Sequence, residues 1–258
     1  MRLKFNLVLV LAAILCAATP AFSQNDFKPF SHMSLGVKAS TLGYGFEVAT
    51  PLNKMMALRM GVNLTGGITF GEYNTPFNNL TDEDFTDRFG YEPDFRAKPE
   101  INLTHGNLLV DFQPIGFFHL TAGFFVGTSK FKLTGSLVDH YNNPAILRPG
   151  YEWPHIEVGD ERIDLTGGHT NAELQLGNTF KPYVGLGFGR AVAKKHRVTF
   201  MFEVGALYQG GNYTFKQDGR VLDLSVSTQD ELQDVHDALT KYTKFWPMIN
   251  FQLAYRIF

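Results

Sequence analysis

Six charged side chains share one phase of an alternating pattern that runs through the chain. They are Lys38, Glu47, Arg59, Asp111, Glu203 and Arg256. Successive side chains of a β-strand point to opposite faces, so residues in one phase share one face of a sheet. Three cations and three anions balance in formal charge. On a face closed off from water, they are expected to form an internal network of ion pairs and hydrogen bonds.

A second set of residues has the types needed for nucleophilic catalysis. A Ser and a His with an acid can form an activated nucleophile, and Thr104–His105 with Ser129 on the neighbouring predicted strand is the nearest candidate. The alternative is that these are ordinary polar residues of a strand wall. Ser129 lacks the Gly-x-Ser-x-Gly context of a nucleophile elbow,. A lipid-modifying enzyme is therefore one hypothesis among three.

Metal and cofactor sites have little support in the sequence. The eight histidines show neither H-x-x-x-H nor H-E-x-x-H spacing,. The repeated Gly-x-Gly at 185–189 lies in a predicted strand that no helix follows, unlike a phosphate-binding loop,. The sequence predicts no metal and no cofactor.

Strands must position these candidates, because apolar residues alternate with polar or small ones along eight segments. The clearest is Met56–Thr65, with five repeats of period two,. The others are Ser34–Ser40, Tyr44–Thr50, Asn107–Phe112, Phe118–Gly127, Val184–Gly189, Phe200–Gln209 and Ile249–Ile257. With flanking residues, most can reach the roughly 9 to 11 residues of a tilted transmembrane strand.

The lengths of the connections predict the topology. The connections at 51–54, 113–117 and 190–197 are short, whereas those at 72–100, 135–171 and 217–244 are long. Only the first hairpin, at Leu42–Gly43, breaks the alternation. Bacterial outer-membrane barrels have short periplasmic turns and longer external loops. The predicted fold is all-β: an eight-stranded antiparallel up-and-down transmembrane β-barrel with long external loops.

The last long loop also predicts a short helix over 228–242. Thr228 and Glu231 form a capping box, and Leu232, Val235, Leu239 and Tyr242 follow at helical spacing,. Its apolar stripe has two interpretations. One is packing against its own loop and the barrel rim, and the other is a docking surface.

The first 23 residues have the composition of a secretory signal peptide. Arg2 and Lys4 precede an apolar run at 7–18, and Ala21 and Ser23 put small residues before a cleavage site,. The predicted mature domain is 24–258, with a formal net charge of −4 instead of −2 once Arg2 and Lys4 are removed. It has no cysteine, because Cys16 lies in the leader.

The charge pattern excludes nucleic acid as a partner, because the chain has no basic cluster longer than the one at 194–197,.

The two faces of the strands indicate that lipid surrounds the barrel. The continuous apolar face is bulky and aromatic, and the other face carries Gly, Asn, Thr and isolated charges, the arrangement expected of a lipid-embedded barrel. Several runs, Asn107–Pro114, Phe118–Gly123, Lys181–Gly189 and Val204–Gly210, resemble those of a widespread family of small outer-membrane barrels, grouped with OmpA-like and OmpX-like eight-stranded proteins.

That resemblance implies a place and partners. It implies the bacterial outer membrane, reached by signal-peptide-directed export, and contact with outer-membrane lipid and lipopolysaccharide. The ending with Tyr255, Ile257 and Phe258 is similar to the terminal aromatic signal read by the outer-membrane insertion machinery, although Ile257 is an insertion into the usual pattern. The extracellular partner is not identified by the sequence.

Three functions are consistent with these observations. The leading hypothesis is a non-enzymatic outer-membrane protein with a structural or surface-interaction role, because side chains just fill the interior of eight strands. The second is a narrow channel for small solutes, favoured by inward glycines at 123, 127, 185, 187, 189 and 205, which could instead make room for neighbouring side chains. The third is the lipid-modifying enzyme.

Overall fold

The computed structural model describes residues 28–81, 84–158, 161–193, 196–222, 241 and 243–258. The predicted signal peptide at 1–23 lies outside these residues, and so does the predicted helix at 228–242 apart from Lys241. No helix among the described residues is long and apolar enough to cross a membrane.

Almost all regular structure in these ranges is antiparallel β-structure, which confirms the all-β prediction. The strands are β1 (Ser34–Ser40), β2 (Gly43–Pro51), β3 (Met56–Leu64), β4 (Ile68–Thr69), β5 (Tyr73–Pro76), β6 (Asp94–Ile115), β7 (Phe118–Val138), β8 (His155–Val158), β9 (Glu161–Asp164), β10 (His169–Leu176), β11 (Phe180–Gly189), β12 (Val198–Tyr208), β13 (Tyr213–Gln217), β14 (Arg220–Leu222) and β15 (Phe245–Arg256). Two one-turn helices, α1 (Asn78–Thr81) and α2 (Thr86–Phe89), and a 3-10 turn at Thr166–Gly168 complete the elements.

Eight of these strands pair in a closed ring. Its order is β1, β2, β3, β6, β7, β11, β12 and β15, with β15 pairing back to β1. Each ring strand overlaps one of the eight segments predicted from alternation. The alternation is also seen in burial, since the Arg59 side chain is fully buried inside the ring while Met60 is 61% exposed on its outer face.

The ring has two different ends. At the short-turn end, tight connections join β2 to β3, β6 to β7 and β11 to β12. At the other end, the long-loop end, β6 and β7, which are 22 and 21 residues long, continue past the ring as a paired ribbon. The loops predicted at 72–100 and 135–171 are therefore partly strand, because β5, the outer half of β6, the β8–β9 hairpin and the start of β10 lie within them.

A second tier of sheet extends the wall on this side. β10 pairs with the outer half of β7 where β11 pairs with the inner half, and β13 pairs with β10. The β-structure is interrupted between β10 and β11 at Gly177. The backbone there has a φ of 71°, a left-handed conformation that glycine adopts most easily,. We call the outer sheet the outer halves of β6 (94–104) and β7 (128–138) together with β4, β5, β10, β13 and β14.

The loops at the long-loop end have an apolar core of their own. Phe77 and Phe85 are fully buried, with ring centroids 4.8 Å apart. The remaining buried members are Phe89, Phe95, Leu137, Ala145 and Leu165. This aromatic cluster folds the loops against the outer sheet.

Candidate functional site

The centre of the ring holds a buried guanidinium surrounded by three carboxylates. Arg59 on β3 places Nη2 2.7 Å from Glu203 Oε2, Nε 3.0 Å from Asp111 Oδ1 and Nη1 3.5 Å from Glu47 Oε1. The four side chains are at most 1% exposed. They come from β3, β12, β6 and β2, so the ion pairs link strands across the lumen as well as between neighbours.

Lys38 extends the cluster toward β1. Its Nζ lies 3.1 Å from Glu47 Oε2 and donates a hydrogen bond of 2.7 Å to Asn107 Oδ1. The Asn107 amide donates in turn to Glu47 Oε2 at 3.2 Å. Lysine, glutamate and asparagine thus form a closed triangle of hydrogen bonds that includes Glu47 Oε2.

Glu203 is the most heavily hydrogen-bonded carboxylate of the cluster. Tyr183 donates its hydroxyl to Oε1 at 2.8 Å, and Thr121 lies 2.7 Å from Oε2 and 2.8 Å from Asp111 Oδ1. His119 Nε2 is 3.1 Å from Oε2. Lys38, Arg59, Glu47, Asp111 and Glu203 carry two positive and three negative formal charges.

The structure brings together five of the six charges predicted to share the inner face, and Arg256 lies apart. Arg256 is near the short-turn end, where Nη1 donates to the carbonyl of Ala193 at 3.0 Å. Sequence reasoning missed the uncharged partners because it selected residues by charge. Asn107, His119 and Thr121 nevertheless occupy the inward phase of the alternation, and so does Tyr183 on β11.

Apolar side chains close the lumen on both sides of the charge cluster. Toward the long-loop end the buried layer, here called the apolar plug, is Leu42, Leu103, Leu109, Phe125, Tyr183, Leu207 and Met248. Toward the short-turn end the layer is Ala49, Ala57, Ala191, Val192 and Met201. The short first hairpin now has a physical reason, because Leu42 at its tip turns into the lumen and is 1% exposed.

The inward glycines make room for large neighbours. A Cβ placed at Gly185 or Gly205 would lie 2.4 Å from the Tyr183 hydroxyl, and one at Gly187 would lie 2.8 Å from the His119 ring. The space beside these three glycines is therefore filled by protein atoms. This agrees with the alternative in which the glycines accommodate side chains, and it removes their support for a wet path.

The candidate catalytic residues form a separate buried group above the charge cluster. His105 Nε2 lies 3.4 Å from Ser129 Oγ and 2.9 Å from Lys181 Nζ, and Lys181 also donates to the Gly127 carbonyl at 3.1 Å. Thr104 is exposed on the opposite face. Within the described part of the chain, no carboxylate contacts His105 Nδ1. The group therefore lacks the acid that orients the histidine of a nucleophilic triad.

Possible metal ligands and the terminal residues occupy ordinary structural positions. Across the ranges that the structure describes, no group of three His, Cys, Asp or Glu side chains is arranged to hold a metal ion. Tyr255 points outward and its hydroxyl accepts a hydrogen bond of 3.0 Å from Arg197. Ile257 and Phe258 are both exposed, and their backbones bond to Met33.

Comparisons with known proteins add structural neighbours but no family. No protein-family model matches the chain, and no curated protein sequence matches it. Similar solved structures include Acinetobacter baumannii CarO2 (16% identity, TM-score 0.49, covering 89% of this chain and 100% of that one) and CarO from the same organism (16%, 0.45, 90% and 99%). A major outer membrane protein of Thermus thermophilus is also similar (15%, 0.40, 88% and 98%). Because every TM-score is below 0.5, the likeness assigns no role to this chain.

Proposed function

We propose that the chain is a non-enzymatic outer-membrane β-barrel protein with a side-chain-filled lumen and a structural or surface-interaction role. The observation that carries the proposal is the inverted distribution of polarity across the ring wall. Large apolar side chains are exposed on the outside, such as Val184 at 65% and Phe200 at 56%, while Arg59, Asp111 and Glu203 are fully buried inside.

The exposure of that outer surface favours lipid over water as its surroundings. Exposed apolar patches on soluble monomers rarely exceed a few hundred Å², whereas apolar residues occupy the outward phase of all eight ring strands. In hydrocarbon every backbone polar group must be paired within the protein, and a closed antiparallel ring achieves this. A lipid bilayer around the ring therefore accounts for both faces of the wall.

The outer membrane is the proposed location. The leader at 1–23, the resemblance to OmpA-like and OmpX-like proteins and the terminal Tyr255, Ile257 and Phe258 support export followed by insertion by the outer-membrane machinery. The long-loop end would then face outward, as in other barrels of this kind. Outer-membrane lipid would contact the apolar band.

A closed lumen favours a structural or surface role over transport. Three successive layers of buried side chains fill the ring, and the middle layer is held by ion pairs from four strands. The outer sheet and the aromatic cluster give the long-loop end a folded surface that can be recognised. The group around His105 supports the non-enzymatic part of the proposal, because its third member is Lys181 and not a carboxylate.

Reconstitution of the refolded protein tests this proposal. We expect a strand-dominated circular dichroism spectrum, a heat-modifiable gel mobility and insertion into planar bilayers without steady conductance. Replacing Leu42 in the apolar plug, Arg59 in the charge cluster and Met201 in the layer at the short-turn end with Ala together should produce conductance where the wild type has none. Steady conductance by the wild type would favour the solute channel instead, and a mainly helical or unfolded product would contradict the barrel.

A further inference from the structure

Outward charges are confined to one side of the ring. Each of β1, β2, β3, β11, β12 and β15 contains a single Lys, Arg, Asp or Glu, and in every case it lies in the inward phase. Of the eight ring strands, only β6 and β7 carry outward charges, and these begin beyond Thr104 and Thr128, where the apolar band ends. One wall therefore differs from the rest of the barrel at the long-loop end.

The outward charges of this wall form a patch with an excess of lysine. The lysine patch is Lys130, Lys132 and Lys216 with Glu100 and Glu173. Lys130 Nζ lies 3.0 Å from Glu173 Oε1, whereas Lys132 and Lys216 make no ion pair with any described residue. Both are half-buried and flank Glu173 across β10. Two strand spacings separate them, about 10 Å.

An apolar groove lies below the lysine patch on the same wall. It has a volume of about 590 Å³ and is lined by Phe46, Met60, Val62, Leu108, Phe124 and Val126. Gly106 forms its floor, because a Cβ there would find no atom closer than 3.9 Å. The strand position opposite Lys132 is Glu100, six residues above Gly106, or about 20 Å along the strand.

We propose that this wall binds one molecule of a bisphosphorylated outer-leaflet lipid, the lipid A portion of lipopolysaccharide. The inference rests on the proposed membrane location and goes beyond general lipid contact. An acyl chain fills the Gly106 groove, and phosphates bind Lys132 and Lys216. Two unpaired ammonium groups on either side of a glutamate suit a headgroup with two phosphates better than one with a single phosphate.

The physical basis is complementarity at the membrane surface. Basic side chains close to a bilayer attract anionic headgroups, and partial burial beside a low-dielectric wall strengthens the attraction. Lysine can lay its methylene stem along the apolar wall while its ammonium group reaches the headgroup region. The groove supplies the apolar contact that a smooth lipid-facing wall lacks.

Binding of purified lipid A to the full chain in nanodiscs of zwitterionic lipid tests the proposal, with native mass spectrometry counting the bound molecules. We expect one tightly bound bisphosphorylated lipid A per barrel. The double variant Lys132→Gln with Lys216→Gln should weaken binding by about tenfold or more. Gly106→Leu should also weaken it, and the open space around Gly106 allows this variant to fold.

Matched controls come from β12 and β15, which lie across the ring from β3 and β6 at the groove. Lys244 stands at the long-loop end just before β15, and Ala206 is an outward residue of β12. Lys244→Gln and Ala206→Leu should leave binding unchanged. Equal affinity for dephosphorylated lipid A, or equal losses in the control variants, would overturn the proposal.

Failure of the two proposals can be told apart. If the protein shows heat-modifiable mobility and inserts into bilayers but retains no lipid A, the barrel proposal stands and the lipid A site is overturned. A protein that does not insert at all overturns the membrane location itself.

Discussion

The inner and outer halves of β6 and β7 have opposite distributions of polarity, although they belong to the same two strands. Within the ring, the face pointing inward carries Asp111 and His119, and the outward face carries Leu108 and Phe124. Beyond the ring, the inward face carries Phe95 and Leu137 of the aromatic cluster, while the outward face carries lysines and glutamates. The reversal occurs near Thr104 and Thr128, which pair with each other.

One backbone geometry therefore supports two kinds of core, and the surrounding solvent decides which. Where the outside is apolar and exposed, the inside can be polar only if its charges pair, as they do around Arg59. Where the outside is charged, the inside is aromatic as in a water-soluble domain. Under the proposed function, Thr104 and Thr128 mark the outer boundary of the hydrocarbon layer.

The largest expected effect comes from removing the central cation of the polar core. Arg59→Ala leaves three buried carboxylates without their shared partner and should lower the free energy of unfolding by about 3 to 5 kcal/mol. Denaturant titration in micelles, followed by gel mobility, measures the loss. Conductance should stay low, because the apolar layers above and below remain.

Arg256→Ala is the matched control for this prediction. It removes the same side chain from the same ring, but Arg256 bonds a backbone carbonyl and lies outside the charge cluster. Its loss should be clearly smaller. Equal losses for the two variants would mean that the network around Arg59 does not stabilise the ring.

A second prediction tests the reversal along a single strand. Ala122 and Thr134 both point outward from β7, the first within the apolar band and the second beyond it. Ala122→Arg should cost about 2 to 4 kcal/mol in a bilayer, and Thr134→Arg about 0 to 1 kcal/mol. Stability in vesicles and the yield of assembled protein measure both. Small, equal effects would place the Ala122 level in water and contradict the membrane boundary.

The same comparison explains how far the sequence could predict the structure. Alternation with constant polarity predicts a strand over Met56–Thr65, and β3 is Met56–Leu64, because one face stays apolar throughout. Alternation does not predict the part of β6 before Asn107, because the polarity of the two faces reverses along the strand. Strand phase also places Lys38, Glu47 and Arg59 on one face, whereas their distances depend on the stagger of the strands around the ring.

Other features depend on contacts between residues far apart in the chain. Leu109, Phe125 and Leu207 lie in the inward phase among polar residues, and only closure of the ring shows that they meet as the apolar plug. The contact between Arg59 and Glu203 spans 144 positions. No local pattern carries that information, and the same is true of the aromatic cluster formed by two separate loops.

The aromatic cluster yields a third prediction, with an effect confined to the loops. Proteases applied to intact cells should cut at the exposed loop around Tyr141 and Ile146, which are 86% and 78% exposed, and spare the turns at 52–55 and 190–197,. Phe77→Ala should raise the cutting rate by about tenfold or more, because it opens a cavity in the loop core. The gel mobility of the ring should not change. Cutting at the short turns alone would reverse the orientation.

The smallest expected effect is a pH response at the long-loop end. Hydrogen bonds from the Asn143 side chain, and from the backbone N–H groups of Asn143 and Tyr141, hold the pKa of Asp139 below its ordinary value. A lowered pKa in the folded state contributes stability at pH values above the ordinary Asp pKa of about 3.9. That contribution is lost as the pH falls through the folded value.

Acidification below about pH 4 should therefore loosen the turn at 139–143 while the ring, whose charges are buried, keeps its gel mobility. The Asp139 carboxyl carbon, followed by NMR, should titrate below the ordinary range. Asp139→Asn keeps an oxygen that can accept the same backbone hydrogen bonds, so the turn should persist and its pH response should disappear. If the Asn variant loosens at the same pH as the wild type, the response belongs to another group of the loop and Asp139 does not hold the turn.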